Sequence, residues 1–171
     1  CYALLMTLTG YPVVAENAAT TSTTGTDNAA GTAGIKRPVS RVEKLVDAQI
    51  LLLLTQDTTV DDHSYPLDCT GTVLAAYEIA GESLFDSFLA VGGGGVTRLY
   101  AIAEEHGLLR RSGTPEPGDV LFWDNTYDAN GDGKFNDQLT HAGLVLAIHN
   151  DGTIEYVHHN YRRGIVVEQM N

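Results

Sequence analysis

Cysteine is scarce in this sequence: Cys1 and Cys69 are the two among 171 residues. They make at most one bridge, and one of them opens the given chain, so a disulfide framework is excluded. Basic residues are few as well, with 10 Lys and Arg against 22 Asp and Glu for a net charge of −12. A surface of that sign repels phosphate backbones, which excludes nucleic acid as a natural partner and favours a cationic or neutral substrate. No apolar run approaches the ~20 residues that a membrane-spanning helix requires, so no transmembrane segment is expected. The 18 glycines follow no period, which excludes collagen. What is there, 43% hydrophobic and 19% charged residues, is the composition of one soluble globular domain, read as a monomer.

The start of the chain lacks an initiator Met and a basic leader. Tyr2–Leu8 is a short apolar run, and Tyr11–Ala15 (YPVVA) ends in small residues, as the cleavage region of a secretory signal does. Residues 1–15 therefore read as the remnant of a signal peptide; the alternative is that Cys1 carries the lipid of a mature lipoprotein. Both readings place the protein outside the cytoplasm. Residues 16–37, rich in Thr, Ala and Gly without a large apolar side chain before Ile35, cannot offset their ordering entropy and are expected to be a disordered linker. The folded domain is expected over residues 38–171, and the stop directly after a strand suggests a further C-terminal piece.

Apolar residues recur at helical spacing from Val39 to Leu54, with Ser40 as N-cap and Glu43 completing a capping box; the end, Ile50–Leu54, also fits a short buried strand. Gln56–Leu67 reads as a loop or loose hairpin, Thr72–Ala80 as a second helix, and Val96–Leu109 as a third after the Gly92–Gly95 hinge. That glycine run is no phosphate loop, because no strand precedes it and no Lys-Ser/Thr follows. Asp119–Trp123, Ala142–His149, Thr153–His159 and Ile165–Glu168 read as strands, two of them joined by the turn Asn150-Asp151-Gly152. Helices first and an antiparallel meander afterwards make an α+β fold.

The chemistry gathers at Asp68-Cys69-Thr70-Gly71, where a polar loop meets a helix. A thiol at a helix N-terminus faces unpaired N–H groups and the positive end of the dipole, which favour thiolate and supply half of an oxyanion hole. Thr140-His141-Ala142-Gly143 puts a histidine at the mouth of a strand, where it can serve as proton acceptor and donor. His158 lies one hairpin later and can orient that imidazole across adjacent strands. His63, His106 and His149 read as ordinary solvated or core histidines.

DCTG opening a helix, then PEPGDVLFW, THAGLVL and EYVHH, in that order, resembles the NlpC/P60 family of papain-like cysteine peptidases and the neighbouring CHAP amidases. The resemblance spans Val39 to Glu168. It implies a papain-like fold with N-terminal helices packed on a β-meander. It implies Cys69 as nucleophile, His141 as general base and acid, and His158 as the orienting third residue, with no cofactor for catalysis. The substrate it implies is an amide bond of peptidoglycan stem peptides, or another peptide. The Tyr-x-x-Gly-Gly stretch usual before the cysteine is absent, which leaves Tyr65 as the available oxyanion-side tyrosine, beside Asp68. His159 and Asn160 are the alternatives to His158, Asn160 sharing its strand face. An N-acetylmuramoyl-alanine amidase of CHAP type and a catalytically idle envelope-binding module are the rival functions.

Asp128-x-Asn130-x-Asp132-Gly133 matches the opening of a calcium loop, with the Lys134 carbonyl and Asn136 at the next ligand positions. Position twelve is Leu139 where a bidentate Glu belongs, leaving Asp137 or Asp124 to substitute. The expectation is a structural Ca²⁺; the competing reading is a polar turn whose side chains bond their own backbone.

Overall fold

The computed structural model describes residues 38–171 in full and residues 3–6 by their backbone. The expected linker over 16–37, and the expected signal remnant apart from residues 3–6, lie outside the described residues.

Helix α1 (Arg41–Thr55) begins at the expected capping box: Glu43 N donates to Ser40 Oγ at 3.2 Å and Ser40 N to Glu43 Oε2 at 2.7 Å. The Ile50–Leu54 run stays helical and does not become a strand. The helix closes at Gln56, in the left-handed region at φ 57°. The Gln56 amide donates to Ile165 O at 2.8 Å and accepts from Ile165 N at 2.8 Å, joining α1 to the last strand. Within the expected loop, β2 (Thr59–Val60) and β3 (His63–Ser64) form a short hairpin.

Helix α2 (Cys69–Ile79) starts earlier than Thr72, because Asp68 is its cap, and buries every residue from Thr70 to Tyr77. Helix α3 (Phe85–Ala90) was not anticipated, and α4 (Gly95–Glu105) stops short of the expected Leu109. Gly107, at φ 65°, turns the chain out of the helix, and Leu109 opens the small strand β4 (Leu109–Arg110).

The remaining strands are β1 (Ala3–Met6), β5 (Val120–Trp123), β6 (His141–Ile148), β7 (Ile154–Asn160) and β8 (Gly164–Met170). They form an antiparallel sheet of order β4-β1-β5-β6-β7-β8. The β6–β7 turn falls at the expected Asn-Asp-Gly, with Gly152 at φ 89° and His149 N bonded to Thr153 O.

One sheet face carries Val120, Phe122, Ala142, Leu144, Val157 and Ile165 into a common core with Leu45, Leu52, Val73 and Leu99 of the helices. Full burial of each Val, Leu, Ile or Phe side chain among them contributes about 1.5–3 kcal/mol. The fully buried Tyr77 donates its hydroxyl to Gly118 O at 2.8 Å, pinning α2 to the turn before β5. The opposite face holds Leu121, Trp123 and Val145, with Tyr156 packed beside them. The fold is α+β, as the sequence pattern implies.

Candidate active site

Cys69 is the first residue of α2. Asp68, in extended conformation, caps the helix by accepting from Gly71 N at 2.8 Å. Gly71 is required by space: a Cβ there would lie 1.9 Å from the Pro66 carbonyl oxygen. The neighbouring helix end is close as well, since a Cβ on Gly95 would lie 2.5 Å from Thr70 Oγ1. The DCTG motif thus places a thiol on a helix whose first turn is tightly overlaid by the Pro66 backbone and by the start of α4.

Three donors reach the thiol: the Ala142 N–H, and the hydroxyl and N–H of Thr70. They pull its pKa down. Burial, the largest influence, together with the Asp68 carboxylate, pushes it up, and the net direction is up. This corrects the expectation of a thiolate stabilised by the helix N-terminus: desolvation outweighs the donors at this site.

His141 begins β6, paired with Trp123 across β5. Its Nε2 lies 2.7 Å from His158 Nδ1, and the two rings meet edge to face at 88°. Burial, with His158 adding to it, holds His141 down to about 4. Gly143 makes the meeting possible, because a Cβ there would lie 3.2 Å from His158 Cβ and 3.3 Å from Trp123 Cη2. His158 is 6% exposed. Burial lowers its pKa too, against the pull of Glu168.

Glu168 was not singled out by the sequence. Its Oε2 lies 3.3 Å from His158 Nε2, close enough for an ion pair but off the axis of a full hydrogen bond. It also accepts from the Tyr156 hydroxyl at 3.1 Å and from Arg163 Nη2. Its signal in the sequence is faint: an acidic residue directly after the apolar run Ile165–Val167. Only the register Tyr156↔Glu168 turns it toward the histidines.

Cys69, His141, His158, Asp68 and Glu168 line one groove, with Trp123 and Tyr156 in its wall. His159 and Asn160 line the groove as well, but His158 is the ring that meets His141. Tyr65 does not join them. Its ring is buried against His63 and Phe85, and its hydroxyl donates to Glu78 at 3.3 Å, so it lies outside the groove lining. His106 and His149 are engaged elsewhere, with Ile102 O and Glu155 respectively.

The acidic loop connects β5 to β6. Asp128 Oδ1 accepts from Gly131 N at 2.7 Å and its Oδ2 from Gly133 N at 2.8 Å. Asn130 Oδ1 accepts from Asp132 N, and Asp132 Oδ1 from Lys134 N, at 2.8 and 2.9 Å. Asp137 and Asp124 accept from Ala129 N and Leu139 N. Asn136 follows on the same loop, before Asp137. Among the described residues no group of three or more His, Cys, Asp or Glu side chains is placed to hold a metal ion.

A family model described as the CHAP domain matches residues 59–160, a span that contains Cys69, His141 and His158 and ends before Glu168. No curated protein and no solved structure matches the chain.

Proposed function

The chain belongs to the CHAP domain family, within the NlpC/P60-like group of cysteine peptidases and amidases, and from that premise we propose that it hydrolyses amide bonds of peptidoglycan stem peptides through Cys69, His141 and His158. The observation that carries the reading is the 2.7 Å contact between His141 and His158 beside a thiol that rests on the Ala142 N–H.

With the thiol pushed up and His141 held down, both groups are neutral at pH 7. The proton therefore leaves Cys69 as the sulfur attacks. It passes to His141 Nδ1, the ring nitrogen that His158 does not occupy, while an S–C bond forms to the substrate carbonyl. The Cys69 N–H, in the first helical turn where the helix itself supplies no acceptor, stabilises the developing oxyanion. The imidazolium then gives its proton to the departing amine, leaving a thioester. His141 next takes a proton from water, whose oxygen attacks the thioester carbonyl; the carboxylate product departs and the thiol is restored.

This chemistry belongs outside the cytoplasm, where peptidoglycan is. Among the described residues no helix is long and apolar enough to cross a membrane. The alternative bond is that between N-acetylmuramic acid and alanine, which an amidase of the same family would cut.

Digestion of purified peptidoglycan, followed by fragment masses, tests both. Cleavage within stem peptides supports the proposal, intact stems released from glycan support the amidase, and no digestion supports an idle binding module. Cys69→Ser and His141→Ala are each expected to lose more than about 10³-fold in kcat while folding normally, as members of one catalytic unit do. Activity retained in Cys69→Ser would overturn the mechanism.

A further inference from the structure

His158 stands between two partners. Its Nδ1 meets His141 Nε2 at 2.7 Å, and its buried Nε2 lies 3.3 Å from Glu168 Oε2. The contacts of Glu168 with Tyr156 and Arg163 are both made by donors. Burial works against its ionisation, but His158, the Tyr156 hydroxyl and Arg163 together outweigh it and hold Glu168 below the usual carboxylate range. An ionised carboxylate only accepts, and a neutral imidazole carries one N–H.

The proton positions then follow link by link. With an acceptor-only carboxylate 3.3 Å away, though off the axis of a full hydrogen bond, a proton on His158 Nε2 is favoured over a lone pair there, so its Nδ1 is bare. A bare Nδ1 must accept, so His141 Nε2 bears the proton. His141 Nδ1 is therefore left bare, which is what a base toward Cys69 requires. Without the carboxylate the opposite arrangement fits the same 2.7 Å contact equally well, with His158 Nδ1 donating and His141 Nδ1 protonated and useless as a base.

We propose that Glu168 is a positioning residue which, through His158, holds His141 in the Nε2–H tautomer, and that Tyr156 and Arg163 hold the carboxylate in place for that task. The proposal rests on the Cys69–His141–His158 reading. No proton moves beyond His141 in the cycle: the imidazolium keeps its Nε2–H on His158, and His158 keeps its own toward Glu168. The charged and titratable groups around the pair are Glu168, Arg163, His159 and Tyr156, with Asp68 beside the thiol.

The test uses the full chain with ¹⁵N-labelled histidine at neutral pH, where both imidazoles are uncharged, together with steady-state kinetics. In the wild type, His141 and His158 are each expected to show one tautomer, protonated at Nε2. Glu168→Gln nearly preserves shape, but its amide can donate as well as accept and so supports either tautomer. Glu168→Gln and Glu168→Ala are both expected to give mixed tautomers. Each should lose about 10- to 100-fold in kcat, the scale of lost outer partners, with KM changed less than about twofold. A packing role would be rescued by Gln, so wild-type kcat and a single Nε2–H tautomer in Glu168→Gln overturn the proposal. Should Glu168→Ala fail to fold, the Gln variant carries the test. Hydrolysis surviving in Cys69→Ala would instead overturn the reading beneath, whereas a Cys69-dependent enzyme indifferent to Glu168→Gln refutes this inference alone.

Discussion

The rings of His141 and His158, 17 residues apart in sequence, meet with Nε2 and Nδ1 2.7 Å apart. The hairpin register that pairs Leu144 with Val157 brings their strands together. Gly143, between His141 and Leu144, leaves the space on the face where the two imidazoles sit. That contact is local in space, remote in sequence, and dependent on an absent side chain.

Gly143→Ala should therefore act on activity as well as stability. Its Cβ would lie 3.0 Å from Val157 O and 3.2 Å from His158 Cβ, so His158 must move or the hairpin must open. Overpacking of this kind costs about 1–3 kcal/mol. The expected outcome is a lower Tm in a thermal melt and a lower kcat in peptidoglycan digestion; a variant with wild-type kcat would show that the histidine contact tolerates displacement.

The pH dependence of thiol labelling follows from the direction of the Cys69 shift. Burial pushes the thiol up, so thiolate appears only as pH rises past the ordinary cysteine range. Iodoacetamide inactivation should be slow at neutral pH and should climb above about pH 8.5, the ordinary thiol value. A fast, flat rate from pH 5 to 8 would reveal a preformed thiolate–imidazolium pair and replace the neutral-pair mechanism.

Asp119 provides a stability test away from the chemistry. It is 1% exposed, one of its oxygens has no partner, and burial pushes its pKa up to about 6 from 3.8 although Glu116 N and Arg110 pull it down. A carboxyl raised on folding contributes stability that is fully present below the unfolded value and lost as pH rises through the folded one. The loss is roughly 2–3 kcal/mol at neutral pH for a shift of this size. Asp119→Asn stays uncharged, so its Tm relative to wild type should rise as pH goes from 4 to 7. His141, whose shift has the opposite sign, is present in both proteins and cancels. A constant difference would show that Asp119 is not buried as an acid.

For the acidic loop, millimolar Ca²⁺ is expected to raise Tm modestly. Affinity should fall in the ~10⁻⁴–10⁻³ M class, since position twelve lacks its carboxylate and Asp128, Asn130 and Asp132 already accept loop N–H groups. At ten times Kd the gain is about 1.4 kcal/mol. Identical melts in EDTA and in calcium would leave a loop that holds itself together by its own side-chain turns.

The sequence by itself determined what local chemistry decides. The capping box at Ser40 and Glu43, the apolar spacing of α1, the turn at Asn150–Gly152 and the strands β6 and β7 are each written within a few residues, and all appear within two residues of where expected. Cys69 and His141 were legible as candidates from their places at a helix start and a strand mouth, and both line the groove. Short elements were not. Helix α3 spans six residues without a side-chain cap, and Leu109 leaves α4 for β4 because pairing with β1 is a tertiary bond. Tertiary structure alone decided that Tyr65 turns to Glu78 and away from the groove, that burial outweighs helix-end donors at Cys69, and that Glu168 stands behind His158. These are statements about desolvation and strand register. Both depend on which distant residues pack together, and no spacing along one segment of chain encodes that.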